Sequence, residues 1–485
     1  RGAENGHLGL DGRQVTQLCR KISALSNTGG ALNSVSLTLH YSNRSSYGRI
    51  FFMSTNAEQY RSKLTAPEQI AAQIQPGWTC CSDIALSIPN RIYSALADRV
   101  RRDGLTGVTM HTLLDTRLLP CYDEQLKGML TGVSWFSGAG ARSAVNGGYA
   151  DVMPCYYRDI SGLLTDHVEI DAYCAVVSPM DKHGYFSTCN GSASSAMLRK
   201  AGRIYLEVNE NMPRALSSPM IHISQVTALC ENHTELPVLP SPKLDEISTT
   251  IGNLIAAEIP DGATLQLGIG AIPDAVGMAL KSKRNLGIHT EMLTDSMVEL
   301  LECGAVNNSR KPIHTGRTVA TFALGSRRMY DYIDDNPSIE MLPVEYVNNP
   351  EIIAQHPCMM SINAALEVDF FGQVCAESVG TRHVSGTGGQ ADYVRGAIQS
   401  KGGKSFIAFP STAKNDTISK IRPFLTPGAI VTTSKNDVDH IVTEYGIAKL
   451  RGRTLSQRTR ALIAVAHPKF REELTFAAKK QNIII

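Results

Sequence analysis

The residues of this chain best suited to chemistry lie at two glycine-rich turns, one acid beside a strand end and one pair of asparagines. Residues 264–267 read as a strand ending in Gly268-Ile269-Gly270-Ala271-Ile272-Pro273, followed by the helical run DAVGMAL. Glycines between a strand and a helix N-terminus let backbone N–H groups approach an anionic or carbonyl ligand, helped by the helix dipole. The third glycine of a dinucleotide loop is replaced here by Pro273, which disfavours NAD and leaves a tight strand-to-helix turn as an equal reading. About twenty residues on, the strand-like GIHT delivers Glu291. A carboxylate at the C-terminal end of a parallel strand lies at the rim where open α/β sheets bind ligands. The competing reading makes Glu291 a solvated neighbour of a helix cap, with Asp295 as the cap.

A second cluster, Gly386-Thr387-Gly388-Gly389-Gln390, precedes a helix holding Asp392, Tyr393 and Arg395. Such a loop presents the free N–H groups that an oxyanion hole needs, or is simply a flexible connection. In Tyr346-Val347-Asn348-Asn349-Pro350 the asparagines either cap the next helix or aim an amide N–H into a cleft. His289, two residues before Glu291, belongs on the same strand face and reads as a packed core histidine. The thirteen histidines form no HxxxH pair and no Cys/His ligand spacing, so no metal site is expected. No GxSxG or GxxxxGK[ST] occurs, which removes the common serine-hydrolase and ATP-binding readings.

The elements that must position these residues follow an α/β pattern. From about residue 65, short apolar runs alternate with longer amphipathic segments, as βαβ units around a largely parallel sheet do. Strands are predicted at 107–110, 172–177, 203–208, 264–267, 319–324, 405–409 and 429–432, and helices at 89–102, 275–281, 296–302 and 457–466. The tandem Cys80-Cys81 reads as two small strand residues. The run LPVLPSPK (236–243) carries three prolines in eight residues and marks a domain boundary. On either side an apolar strand leads through a glycine to a Gly/Ser-rich stretch and then another strand (AYCAVVSP to RIYLEV; SINAALEVD to SFIAFPS), an echo of two similar halves. The expected organisation is an N-terminal domain over 53–240 and a C-terminal domain over 241–485.

Length and composition set the outer limits. At 485 residues, 43% hydrophobic and 19% charged, the chain is globular and too long for one ordinary core. Forty-seven basic against 45 acidic side chains leave no basic excess for nucleic acid. Uncharged apolar stretches such as 461–466 fall far short of the roughly 20 residues that span a bilayer, so no membrane partner is expected. Eleven cysteines without a CxxC pair suit free thiols in a reducing compartment, cytoplasmic or an organelle matrix. Residues 1–52 carry six basic side chains but only Glu4 and Asp11 as acids, show no sustained period, and precede the first methionine, Met53. They read as an extension outside the fold, either upstream of the true start or a transit segment.

Taken together, LQLGIGAIPDAV, GIHTEMLTD, YVNNPEII, SINAALEVDFFGQVCAES, GTGGQADYVRGA and HIVTEYGIAKLRGRTLSQRTRALIAVAHPKFREEL closely resemble the acetyl-CoA hydrolase/transferase family. The nearest branch is that of the 4-hydroxybutyrate and butyryl-CoA:acetate CoA-transferases. VSPMDKHGYFS and LEVNENMPR extend the resemblance over about residues 65–474. It implies a class I CoA-transferase of two similar, open, largely parallel α/β domains, passing CoA from an acyl-CoA to a short-chain carboxylate through glutamyl intermediates. By motif match Glu291 is the nucleophile, and Asn348 and Gly389 stabilise the oxyanion, with Asn349 and Gly388 one position away in each case. Gly268, Ile269, Gly270, Ala271, Ile272 and Pro273, with Gly386, Gly388 and Gln390, would border the acyl and CoA pocket. No cofactor beyond the CoA substrate and no metal is implied, acetate is the expected acceptor or product, and a homo-oligomer is expected. The alternative is an acetyl-CoA hydrolase in which Glu291 activates water or its anhydride is hydrolysed. A non-catalytic acyl-CoA binder would need no such nucleophile.

Overall fold

The computed structural model describes residues 55–240 and 242–484. Of the unit over residues 1–63, the described part is Thr55 and the helix Asn56–Lys63. The expectations about residues 1–52 lie outside the described residues. Everything below belongs to the second compact unit, Leu64–Ile485.

Its first sheet is built from β1 (Thr79–Ile84), β2 (Val108–Leu113), β3 (Leu130–Ser134), β4 (Ala150–Val152), β5 (Ala172–Val177), β6 (Arg203–Val208) and β7 (Ala228–Glu231). They lie in the order β4-β3-β2-β1-β5-β6-β7 with parallel pairing throughout. β5 is buried at every position and β1, with Cys80 and Cys81, at every position after its first, as strands covered on both faces must be. Between β1 and β2 runs α1 (Asn90–Asp103), whose Ile92, Tyr93, Leu96 and Val100 recur at helical spacing and turn inward. Its last turn closes on Gly104, whose positive φ of 66° is the left-handed cap that glycine adopts at least cost. Its first turn has no side-chain cap of its own, and the help comes from across the sheet. The carboxylate of Glu207 on β6 accepts the backbone N–H groups of Arg91 (2.8 Å) and Ile92 (3.3 Å) and the amide of Asn232 (2.5 Å).

The second sheet comprises β8 (Thr264–Leu267), β9 (Gly287–Ile288), β10 (Met359–Ala364), β11 (Lys404–Ala408), β12 (His440–Thr443) and β13 (Gly446–Lys449). Its order is β9-β8-β10-β11-β12-β13, parallel except for the closing β12-β13 hairpin. The helices that matter for the site are α2 (Glu246–Ala257), α3 (Ala271–Ala279), α4 (Asp295–Glu302) and α5 (Gln390–Gln399). The proline-rich stretch 236–243 falls between β7 and α2. The chain is α/β, with two largely parallel sheets. Among the described residues no helix is long and apolar enough to cross a membrane.

Three local expectations change. The strand expected over 319–324 is two short ones, Thr318–Ala320 and Phe322–Ala323, which pair with different partners. The break falls at Thr321, whose N–H donates to the carbonyl of Glu291 (2.9 Å). Residues 429–432 are not a strand, because their backbone donors are claimed elsewhere. Ile430 N–H goes to the Ser378 hydroxyl (2.9 Å), Thr432 N–H goes to Val374 O (2.9 Å), and Gly428 turns the chain with φ 85°. The helix expected from 275 starts at Ala271, since proline is tolerated in a first turn and Pro273 sits there.

Because Glu207 supplies a charged partner for two backbone N–H groups at the start of α1, Glu207→Ala should lower unfolding stability by about 2 kcal/mol, while Glu207→Gln should recover part of it. Urea unfolding of the two variants checks this.

Candidate active site

Glu291 follows β9 and is anchored by its backbone before its side chain does anything. Its carbonyl accepts from Thr321 N–H (2.9 Å) and Phe322 N–H (3.2 Å), at the break between the two short strands. Asp295 is not the cap of α4. It is the first helical residue, and its carboxylate accepts the N–H of Ser326 (2.8 Å) and the Ser326 hydroxyl.

The Glu291 side chain is half-buried and opens on a cavity of about 240 Å³. Its Oε2 accepts a hydrogen bond from Asn348 Nδ2 (2.7 Å), and the N–H of Gly389 donates to the same carboxylate. Among the described residues no cation pairs with it. Burial pushes the Glu291 carboxyl up to about 7, with the Asn348 and Gly389 hydrogen bonds pulling the other way.

Position 389 admits only glycine, because a Cβ there would overlap the Glu291 carboxylate and the Asn348 amide. Its neighbours do different jobs. Gly388 makes the turn with φ 57°, and its carbonyl accepts Tyr157 N–H (3.2 Å). Asn349 caps the single turn Pro350–Ile353 by accepting from Glu351 N–H (2.9 Å). Of each adjacent pair, then, Asn348 and Gly389 face Glu291.

Two buried networks hold these donors. The carbonyl of Val347, one bond from Asn348, accepts from His289 Nε2 (2.8 Å) and from the Tyr393 hydroxyl (3.3 Å). With Nε2 donating, His289 Nδ1 must accept from His356 Nε2 (3.2 Å), which sets the tautomer of both rings. Burial keeps both neutral, lowering His289 well below its ordinary range and His356 to about 3. His289 is thus a core residue, as its strand position suggested, and acts through Asn348. On the other side, Asp392 in the first turn of α5 is fully buried against Arg158, with Nη1 at 3.2 Å from Oδ1 and the Arg158 N–H at 3.4 Å from Oδ2. Desolvation raises Asp392 to about 7, Arg158 opposes the rise, and the charge of Glu291 adds to it. The pair fastens the glycine loop to a segment more than two hundred residues away.

The cavity is lined by Glu291, Gly268, Ile269, residues 386–390 and a set of apolar side chains from the first sheet. Gly270, Ala271, Ile272 and Pro273 do not line it, because α3 begins at Ala271 and packs Ile272 and Pro273 inward. Sequence reading missed Trp135, Phe136, Tyr157 and Arg158. No spacing signal links them to Glu291, since they arrive from the other sheet. Among the described residues no group of three or more His, Cys, Asp or Glu could hold a metal ion.

Residues 49–240 match the acetyl-CoA hydrolase/transferase N-terminal domain and residues 325–478 the C-terminal domain of the same family. The chain belongs to the acetyl-CoA hydrolase/transferase family. Within it, this chain is 47% identical to the succinyl-CoA:cyclohexane-1-carboxylate CoA transferase of Geobacter metallireducens over 88% of its own length and 97% of the relative's. It is 42% identical to the 4-hydroxybutyrate coenzyme A transferase of Clostridium kluyveri, over 87% and 99% of the two chains. Among solved structures it superimposes on RipA from Yersinia pestis with a TM-score of 0.85 at 38% identity, covering 89% of this chain and all of that one.

For this family member, Gly389→Ala should cut kcat by about 10²–10³-fold with the fold retained, because it displaces one of two donors to the carboxylate. Asn349→Ala, which removes a helix cap, should leave kcat within a few-fold; steady-state kinetics with circular dichroism checks both. The raised carboxyl of Glu291 also sets a pH dependence. Folded Glu291 holds its proton up to about 7, against about 4.5 when unfolded, so its contribution to stability is present below 4.5 and lost as pH rises through 7. Glu291→Gln should therefore stabilise the fold by about 1–3 kcal/mol at pH 8 and scarcely at pH 4, in thermal melts at the two pH values.

Proposed function

We propose that Glu291 is the nucleophile through which this CoA-transferase moves CoA from an acyl-CoA to a free carboxylate. The observation that carries the reading is the Glu291 carboxylate, desolvated, unpaired with any cation, and held at the cavity by Asn348 and Gly389. A carboxylate shielded from water is a stronger nucleophile than a solvated one, and an arginine or lysine partner would blunt it.

The steps balance as follows. One Glu291 oxygen attacks the thioester carbonyl carbon, the C–S bond breaks, and CoA leaves as thiolate, giving a mixed anhydride. The thiolate attacks the glutamyl Cδ, and the first acid departs as carboxylate, leaving a glutamyl-CoA thioester. The acceptor carboxylate then attacks the same Cδ and releases the thiolate again. Attack of that thiolate on the new acyl carbon yields the product acyl-CoA and free Glu291. Thioester energy is conserved at every stage, so the cycle consumes no ATP and requires no metal.

The donor geometry suits the steps centred on glutamate. When Cδ becomes tetrahedral, negative charge gathers on an oxygen of a carboxylate that already has two donors, Asn348 on Oε2 and the Gly389 N–H, so the stabilising dipoles need little reorganisation. Burial also favours transfer over hydrolysis to the extent that it keeps water from the anhydride. The ten described cysteines are free thiols, which supports a reducing compartment for the enzyme.

Incubation of the purified protein with acetyl-CoA, without an acceptor acid, should give a CoA-sized mass adduct confined to the peptide that contains Glu291. Glu291→Ala should abolish the adduct and the transfer while leaving the circular dichroism spectrum unchanged, and Glu291→Asp, one methylene shorter, should lose most activity. Steady release of free CoA with no adduct would instead favour the hydrolase, and normal turnover by Glu291→Ala would end the assignment.

A further inference from the structure

Glu291 and its amide donor Asn348 stand on different elements, and one segment that lies between them in the chain, residues 308–317, bonds toward both. Two left-handed residues, Asn308 (φ 58°) and His314 (φ 53°), fold this segment back on itself, and the Asn308 carbonyl accepts from Gly316 N–H (3.1 Å). On the side of the nucleophile it meets β9, the edge strand of its sheet, three residues before Glu291. Edge-strand peptide groups that have no neighbouring strand need other partners. At Ile288 side chains of the segment supply them. The N–H of Ile288 donates to Asn308 Oδ1 (2.9 Å), and its carbonyl accepts from the Nζ of the buried Lys311 (2.8 Å). The same two side chains reach the start of the next strand, Asn308 Nδ2 donating to the Thr318 hydroxyl (3.0 Å) and Lys311 Nζ to the Arg317 carbonyl (2.6 Å). The Lys311 stem crosses β9 so closely that a Cβ at Gly287 would fall 2.8 Å from its Cγ. Asn308 and Lys311 thus tie the strand that delivers Glu291 to the strand Thr318–Ala320, beyond which Thr321 holds the Glu291 carbonyl.

On the side of the donor, His314 is the contact. Its Nδ1 bonds to the carboxylate of Glu340, on the short strand Ile339–Met341 that pairs with Thr318–Ala320, and its Nε2 meets the Tyr346 hydroxyl at 2.8 Å. Tyr346 belongs to the single helical turn Val344–Val347, whose C-cap is Asn348. His289 and Tyr393 hold the Val347 carbonyl of that turn, and Tyr346 gives it a second, separate anchor. The hydrogen bond from Asn348 Nδ2 to Glu291 Oε2 closes the circuit at 2.7 Å, a length that fails if either stretch of backbone drifts.

We propose that residues 308–317 are the positioning loop of this active site: Asn308 and Lys311 fix the strand that delivers Glu291, and His314 fixes, through Tyr346, the turn that delivers Asn348. The proposal rests on Glu291 as the nucleophile. These side chains act on backbone and not on substrate, so their loss should lower kcat through misplacement and scarcely move KM.

The test measures kcat and both KM values for transfer from acetyl-CoA to butyrate on the full chain. Lys311→Met keeps the stem and removes both Nζ bonds, and Tyr346→Phe removes only the hydroxyl. Lys311→Met should lower kcat by about 10–100-fold and Tyr346→Phe by about tenfold, with each KM within about threefold of the unmodified enzyme. Because Tyr346 acts through Asn348, Tyr346→Phe should cost less than about twofold when Asn348→Ala is already present. A tyrosine that serves stability alone would cost the same in both backgrounds. Unchanged kcat in Tyr346→Phe, or an equal cost in the two backgrounds, would overturn the proposal, and a CoA adduct on Glu291 of the unmodified enzyme would leave the nucleophile standing. No transfer and no adduct in the unmodified enzyme would remove both. The tyrosine arm decides the matter even if Lys311→Met does not fold.

Discussion

One carboxylate, half-buried at a cavity and bonded by two neutral donors, is the constraint around which the rest is arranged. Moving the Glu291 carboxylate into the cavity disfavours its charged form, and the fold answers with an amide and a backbone N–H instead of a cation. A salt bridge would have offset more of the desolvation, but would have lowered the energy of the ionised carboxylate along with it. Two neutral dipoles fixed in advance stabilise the ionised carboxylate only modestly, and under the proposed chemistry they would stabilise the tetrahedral states more, where charge localises on one oxygen.

Dipoles of this kind help only if they cannot swing away, which explains the depth of the supporting structure. Asn348 is fully buried, and the peptide before it is fixed by His289 and Tyr393, with His356 behind His289. Both rings stay neutral because charging either would bury an imidazolium beside Lys311, itself buried and lowered to about 7 with its ammonium on the carbonyls of Ile288 and Arg317. Gly389 is held from the opposite direction by Arg158 and Asp392 and by Tyr157 N–H on the Gly388 carbonyl. The two donors therefore answer to separate networks, and neither depends on a flexible side chain in solvent.

The two sheets divide the labour. Glu291 lies just beyond β9 of the second sheet, near the strand ends where open parallel sheets leave room for a ligand, and Asn348 and the glycine loop reach it from connecting segments of the same half of the chain. The first supplies the apolar wall and, through Tyr157 and Arg158, the clamp on the loop. Glu291 with its two donors and the apolar lining of the cavity thus come from different parts of the chain, and they meet at the glycine loop, on which Phe136 packs.

Much of this could be read from the amino-acid sequence, where the signal is local. Strand β5 and helix α4 follow from apolar periodicity, and the glycine turns follow from the conformations only glycine adopts cheaply. Glu291, Asn348 and Gly389 were legible as candidates because their motifs are short and ordered along the chain. What the sequence left open were choices settled by contacts over long separations. Asn348 and Glu291 are 57 positions apart and Arg158 and Asp392 are 234 apart, so no periodicity carries either pairing. Which of two adjacent asparagines faces Glu291 turned on which one the helix at Pro350 claimed as its cap. The strand over 319–324 broke because Thr321 had a better acceptor in the Glu291 carbonyl than any continuing ladder could offer. The sequence by itself determined the elements and the chemical groups, since those depend on neighbours a few residues away. Tertiary structure alone decided the desolvation, the partners and the wall of the cavity, since these exist only once distant segments share a volume from which water is excluded.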